Sequence, residues 1–97
     1  MEGRRRAIVI NEADNVATAL EPLGRGSRVK VERGGILLEI TLGSDIPPGH
    51  KFALKGLEAG ERVIKYGEPI GRCVAAVAEG EHVHVHNVES GPDRGAQ

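Results

Sequence analysis

Ninety-seven residues bound the chain to one small domain, with a modest core and little wall to enclose an elaborate active site. A formal net charge of −1 excludes the strong positive field that recruits nucleic acid or an anionic membrane surface, so neither is expected as a partner. A single cysteine, Cys73, excludes an internal disulfide framework and suits a reducing compartment.

Residues 1–6 read as a charged, frayed end. No signal-peptide hydrophobic segment follows Arg4-Arg5-Arg6, and no apolar run approaches bilayer-spanning length, so a cytoplasmic location is expected. Ala7 to Ile10 is a short apolar run suited to a first strand. Asn15 to Leu20 is too short to decide between a half-buried strand and a helical turn; Asp14-Asn15, at its start, reads as a turn. Gly24-Arg25-Gly26 is a break, after which Arg28 to Arg33 alternates cleanly with Val29 and Val31 inward. Gly34-Gly35 turns the chain into a second strand from Ile36 to Leu42, the clearest hairpin in the sequence.

Ile46-Pro47-Pro48-Gly49 is a rigid turn ahead of an extended stretch to Leu54. Turn residues 56–61 precede a strand from Arg62 to Lys65, and 67–71 read as a further turn before an apolar strand from Arg72 to Val77. Leu57-Glu-Ala-Gly-Glu-Arg62 and Val77-Ala-Glu-Gly-Glu-His82 resemble each other, which points to recurrent turn chemistry rather than a duplicated domain. From Glu89 onward the chain reads as a flexible tail. The domain is therefore expected over 7–88, flanked by flexible ends at 1–6 and 89–97. With 14 glycines, 5 prolines and no convincing long helix, the fold class is all-β, with short strands and tight turns in a barrel-like or folded-hairpin arrangement. Aromatics are reduced to Phe52 and Tyr66, so Val, Ile, Leu and Ala must fill the interior.

The four histidines are His50 and the run His82-Val83-His84-Val85-His86-Asn87. If that run is a strand, His82, His84 and His86 share one face and Val83 and Val85 the core-facing other. Same-face residues lie roughly 6–7 Å apart at Cα, so two imidazoles can converge on one ion while a third requires twist or a bend. The alternative is a solvated polar strand face. His50 is the natural fourth member, fixed with Lys51 by the preceding turn, and Lys51 offers a mobile positive charge to a substrate carboxylate or hydroxyl. The alternative there is a solvent-exposed turn pair. Asn87 either hydrogen-bonds a substrate oxygen or caps the strand end. Lys65-Tyr66-Gly67 is a weaker constellation, because adjacent strand residues point to opposite faces. Cys73 reads as a small buried side chain. No paired carboxylates at useful spacing, Ser-His-Asp arrangement or phosphate loop is present.

Four ordered stretches carry a family resemblance: Asp14-Asn-Val-Ala-Thr-Ala-Leu20, Ile46-Pro-Pro-Gly-His-Lys-Phe-Ala-Leu54, Val63-Ile-Lys-Tyr-Gly-Glu-Pro-Ile-Gly71 and Gly80-Glu-His-Val-His-Val-His-Asn87. In these the chain resembles the small subunit, or N-terminal domain, of the altronate/galactarate dehydratase family, which includes the two-subunit sulfolactate sulfo-lyase. The resemblance implies a SAF-type domain with a β-clip fold and a place in cytoplasmic sugar-acid metabolism. It further implies elimination of water, or of sulfite in the sulfolactate branch, from a hydroxy acid, with a divalent metal, commonly Fe2+. The catalytic body of such enzymes is a larger domain or partner subunit, so this chain is expected to be an accessory subunit, inactive alone. His84, His86 and His50 are then the expected proton-transfer groups. His84, His86, His50 and His82 are the expected metal ligands, and Lys51 and Asn87 the expected substrate contacts. Two alternatives stay open, a non-catalytic SAF-type carbohydrate-binding module and a structural interaction domain. Exposed strand edges add self-association when the large partner is absent.

Overall fold

The computed structural model describes residues 5–90. Nine strands and no helix occur among them: β1 (Ala7–Ile8), β2 (Val16–Ala19), β3 (Arg28–Arg33), β4 (Ile36–Thr41), β5 (Lys51–Ala53), β6 (Arg62–Lys65), β7 (Glu68–Cys73), β8 (His82–Val83) and β9 (Val88–Ser90). They form antiparallel sheets ordered β1-β2-β5-β8, β3-β4 and β6-β7-β9. The expected all-β architecture of short strands and tight turns is what the chain adopts. No helix of the described residues is long and apolar enough to cross a membrane.

One local device recurs four times. An apolar anchor (Leu23, Ile46, Leu57 or Val77) is followed three residues later by a glycine at φ between 83° and 90° (Gly26, Gly49, Gly60 or Gly80). In each case the next residue's N–H donates back to the carbonyl three positions earlier, as from His50 to Pro47 at 3.1 Å and from Glu81 to Ala78 at 3.0 Å. A positive φ at the third position alone, closed by that bond, defines a type II turn, for which glycine is the natural occupant. The anchors then bridge in pairs, Leu23 with Ile46 and Leu57 with Val77. Each pair closes the base of a hairpin, β3-β4 in one half of the chain and β6-β7 in the other. The recurrent phrase read at Leu57 and Val77 thus belongs to a fourfold set, and the two halves meet where β5 pairs with β8.

Alternation in that central sheet separates two apolar clusters. Ala17, Phe52 and Ala19 face a core built with Leu23, Val29, Val31, Ile40, Leu42 and Ile46. Val16, Ala53 and Val83 face the other way, onto Leu57, Val63, Cys73 and Val77. Aliphatic residues fill most of both, and the one phenylalanine is fully buried. Cys73 is buried as expected.

Several elements differ from the sequence reading. The segment from Val16 to Ala19 is a strand, because β5 lies beside it as partner. The turn placed at 67–71 is confined to Tyr66-Gly67, both at positive φ, so that Lys65 pairs with Glu68 in a two-residue hairpin. The strand expected from Arg72 to Val77 therefore starts at Glu68 and ends at Cys73, leaving Val74 exposed. Val88–Ser90 pairs with β7, which carries strand structure past the expected boundary at residue 88. Arg6 lies at the supposed frayed end, yet its guanidinium pairs with Glu21 at 3.0 Å. The remaining expected flexible stretches, 1–4 and 91–97, lie outside the described residues.

Asp14 and Asn15 are structural. The Asp14 carboxylate is buried and accepts the N–H groups of Asn11 at 3.0 Å and Gly67 at 2.8 Å. Asn15 donates to the Arg62 carbonyl and accepts from Ile64, stitching β2 to β6.

Candidate histidine centre

The histidine run is a strand for two residues only. β5 offers partners to His82 and Val83 and none beyond, so the chain leaves the sheet and turns over residues 84–87. This corrects the expectation of a continuous strand. Val85 is 75% exposed instead of facing the core, and His86 sits on an open turn.

The turn nevertheless gathers the rings. His50, delivered by the Pro47-Pro48-Gly49 turn, stacks on His84 with centroids 4.1 Å apart and on His82 at 5.1 Å. His82 and His84 stack at 5.4 Å, and His86 lies tilted against His82 at 5.2 Å. His50 Nδ1 and His82 Nε2 are 2.9 Å apart, a bond that needs a proton on one nitrogen and a lone pair on the other. One ligand nitrogen from each of His50, His82 and His84 falls within 4.8 Å of the others, and all three side chains are half-buried. The bend that the sequence reading required for a third imidazole is supplied by the exit from β8.

Electrostatics favour the neutral form of His82 and His84. Burial, then the charges of His50, His86, His84 and Lys51, holds His82 below the usual imidazole range. His84 is lowered likewise by desolvation, His50, Lys51 and His86. A neutral imidazole has the lone pair that accepts a proton or ligates a metal.

Lys51 stands apart from this face. It pairs with Val83 while Phe52 pairs with His82, so alternation directs Lys51 to the Ala53–Val83 side and the histidines to the Phe52 side. Its ammonium lies below the usual lysine range because of burial and the nearby Lys65 charge. Lys65 in turn sits 4.8 Å over the Tyr66 ring, a contact that the left-handed turn at Tyr66 permits and strict strand alternation would forbid. The amide of Asn87, expected at a substrate oxygen or the strand end, is engaged with backbone. Its Oδ1 accepts from His84 N–H at 3.0 Å and its Nδ2 donates to the His82 carbonyl at 2.9 Å. Ser44 was absent from the sequence reading. Its hydroxyl accepts from His82 N–H at 3.4 Å, and no sequence spacing links residues so far apart.

The family model described as the altronate/galactarate dehydratase SAF domain matches residues 5–91. Altronate dehydratase of Escherichia coli (strain K12) is 46% identical over 83 residues, which cover 86% of this chain and 16% of that protein. Its counterpart in Bacillus subtilis (strain 168) is 37% identical over 83 residues, with the same coverage. The (2R)-sulfolactate sulfo-lyase subunit alpha of Paracoccus pantotrophus is 53% identical over 51 residues, 53% of this chain and 76% of that subunit. The chain thus matches about a sixth of the length of the two dehydratases. With the family model spanning the whole described fold, histidine turn included, this chain belongs to the SAF-domain family of the altronate/galactarate dehydratases.

Proposed function

We propose that this domain is the accessory small subunit of a two-subunit sugar-acid dehydratase, presenting its histidine centre at the edge of an active site completed by a large catalytic subunit. The observation that supports this reading is the half-buried His50-His82-His84 triad on a domain of this family. Three imidazoles on an open surface can hold an ion or move a proton, but they form no enclosure for a polyhydroxylated acid. On this reading the rest of the wall comes from the larger catalytic subunit.

The donor set suits a divalent metal of the imidazole-binding kind, Fe2+ among them. Metal–nitrogen bonds of about 2.0–2.1 Å hold ligand nitrogens within roughly 4 Å of each other. The triad's nitrogens lie within 4.8 Å of one another, close to that spacing. His50, His82 and His84 would hold the ion, with His86 flanking. Bound there, the ion would supply Lewis-acid assistance to the departing hydroxyl. The chain's own contribution is a pair of imidazoles, His82 and His84, whose lowered pKa favours the neutral form able to take the proton lost next to the substrate carboxylate. Strand alternation puts Lys51 on the opposite face of the sheet, so the contact to the substrate's acid group expected of it falls outside this centre. A cytoplasmic location accompanies this reading.

A second reading, the small subunit of a sulfolactate sulfo-lyase, is favoured by the 53% identity to a subunit alpha of that enzyme. One experiment separates them. The full chain is co-expressed with candidate large subunits, and the complex is analysed for metal and assayed on altronate, galactarate and (2R)-sulfolactate. Water elimination that falls at least tenfold in His84→Ala, with the complex intact, supports the dehydratase; sulfite release with the same dependence supports the sulfo-lyase. An assembled complex whose rate ignores His50→Ala and His84→Ala overturns the active-site role, leaving an interaction or carbohydrate-binding domain.

A further inference from the structure

The histidine centre is built where regular structure stops, so something other than a sheet must fix its rings. β8 has two residues, and the backbone from His84 onward has no strand partner until Val88. Across this gap Asn87 is the hub. Its side-chain Oδ1 accepts from His84 N–H, its Nδ2 donates to the His82 carbonyl, and its own N–H and that of Val88 both donate to the His84 carbonyl at 3.0 Å. The Asn87 carbonyl also accepts from Val74 N–H at 3.0 Å, which anchors the turn to the end of β7.

We propose that Asn87 is the positioning residue of the histidine centre: its amide clamps the backbone on both sides of Val83, fixing His82 and His84 in stacking distance of His50. The assignment as a metal-positioning group rests on the metal reading of the centre; the clamp itself does not. The chemistry of the position is narrow. It requires a separate acceptor atom and donor atom on the carbon next to a single methylene, which the asparagine amide provides and a serine or threonine hydroxyl does not. Aspartate keeps the acceptor for His84 N–H but sets a lone pair against the His82 carbonyl. Glutamine carries the same groups one methylene farther out. The orientation of the amide follows from its partners, since the flipped amide would face donor to donor and acceptor to acceptor. Groups that orient metal ligands from behind typically change affinity by about 10–100-fold when removed.

The test uses the full chain with two readouts. Co(II) alone is titrated and followed by its visible absorption, and contacts between the His50 and His84 rings, 4.1 Å apart, are followed as nuclear Overhauser effects. Asn87→Ala is expected to lose the ring contacts and to bind Co(II) about 10–100-fold more weakly. Signals of the buried Phe52 and Val63 should stay close to their wild-type positions, because both belong to the apolar clusters and not to residues 84–87. Asn87→Asp, keeping the bond to His84, is expected to fall between the two; it also carries the test if the alanine variant fails to fold. Wild-type ring contacts together with Co(II) affinity within twofold in Asn87→Ala would overturn the proposal. If the unaltered chain takes up no Co(II), the metal reading fails, and the ring contacts alone decide the positioning role.

Discussion

The four type II turns allow the strain of a left-handed glycine to be separated from the cost of close packing. Gly26, Gly49, Gly60 and Gly80 share φ values of 83–90°, but their surroundings differ. A Cβ added to Gly26, Gly49 or Gly60 meets nothing within 4 Å. At Gly80 it would press into the Thr41 carbonyl oxygen, with the Thr41 carbonyl carbon at 3.1 Å and the Leu42 Cα at 3.2 Å. Gly80 cannot swing aside, because its N–H donates to the Ala53 carbonyl at 2.8 Å and its carbonyl accepts from Gly43 at 3.0 Å. Gly60→Ala should therefore cost about 1–2 kcal/mol, the penalty of a left-handed conformation for an L-residue. Gly80→Ala should add an overpacking cost of about 1–3 kcal/mol against unyielding backbone. Urea denaturation of both variants measures the difference, and in thermal unfolding each kcal/mol corresponds to about 4–8 °C for a domain of this size. Equal losses in the two variants would refute the argument, since the shared φ would then account for everything.

Phe52 is fully buried in the first cluster, so Phe52→Ala should lose about 3–5 kcal/mol in denaturant unfolding; a loss under 1 kcal/mol would mean this core is not close-packed. Asp14→Ala removes the acceptor of two backbone N–H groups and should cost about 1–3 kcal/mol, read in the same way, with Asp14→Asn recovering only part. His82 and His84 are held below the ordinary imidazole value of 6.5, so the unfolded chain binds more protons than the folded one just under that pH. Their contribution to stability is full above about pH 6.5 and is lost as the pH falls toward the lowered values. Calorimetry from pH 8 to 5 should show Tm falling over the lower half of that range, and a His82→Gln/His84→Gln variant should lose part of the slope; an unchanged slope would contradict the assignment. Burial and then Glu61 raise the Cys73 thiol, so iodoacetamide at pH 8 should label it only after denaturation, and rapid labelling of the native protein would show that β7 opens readily.

The sequence by itself determined the fold class, the hairpin at Gly34-Gly35 and the family, because each rests on local chemistry: alternation, turn residues and ordered motifs. It also picked out His50 with His82, His84 and His86 as a group, of which the structure draws the ligand nitrogens of His50, His82 and His84 together and leaves His86 on the exposed turn. Their mutual approach was decided by tertiary structure, since His50 comes from one half of the chain and the others from the second, and the β5-β8 pairing sets the strands that carry them side by side. The same pairing placed Lys51 on the opposite face from the histidines. A strand's length is fixed by how far its neighbour extends, and β5 supports β8 for two residues; alternation read from the run alone therefore carried Val85 into a core it never reaches. Asn87 was legible as a cap for the strand end, but its partners at His82 and His84 were not, because the sequence does not mark where the sheet ends.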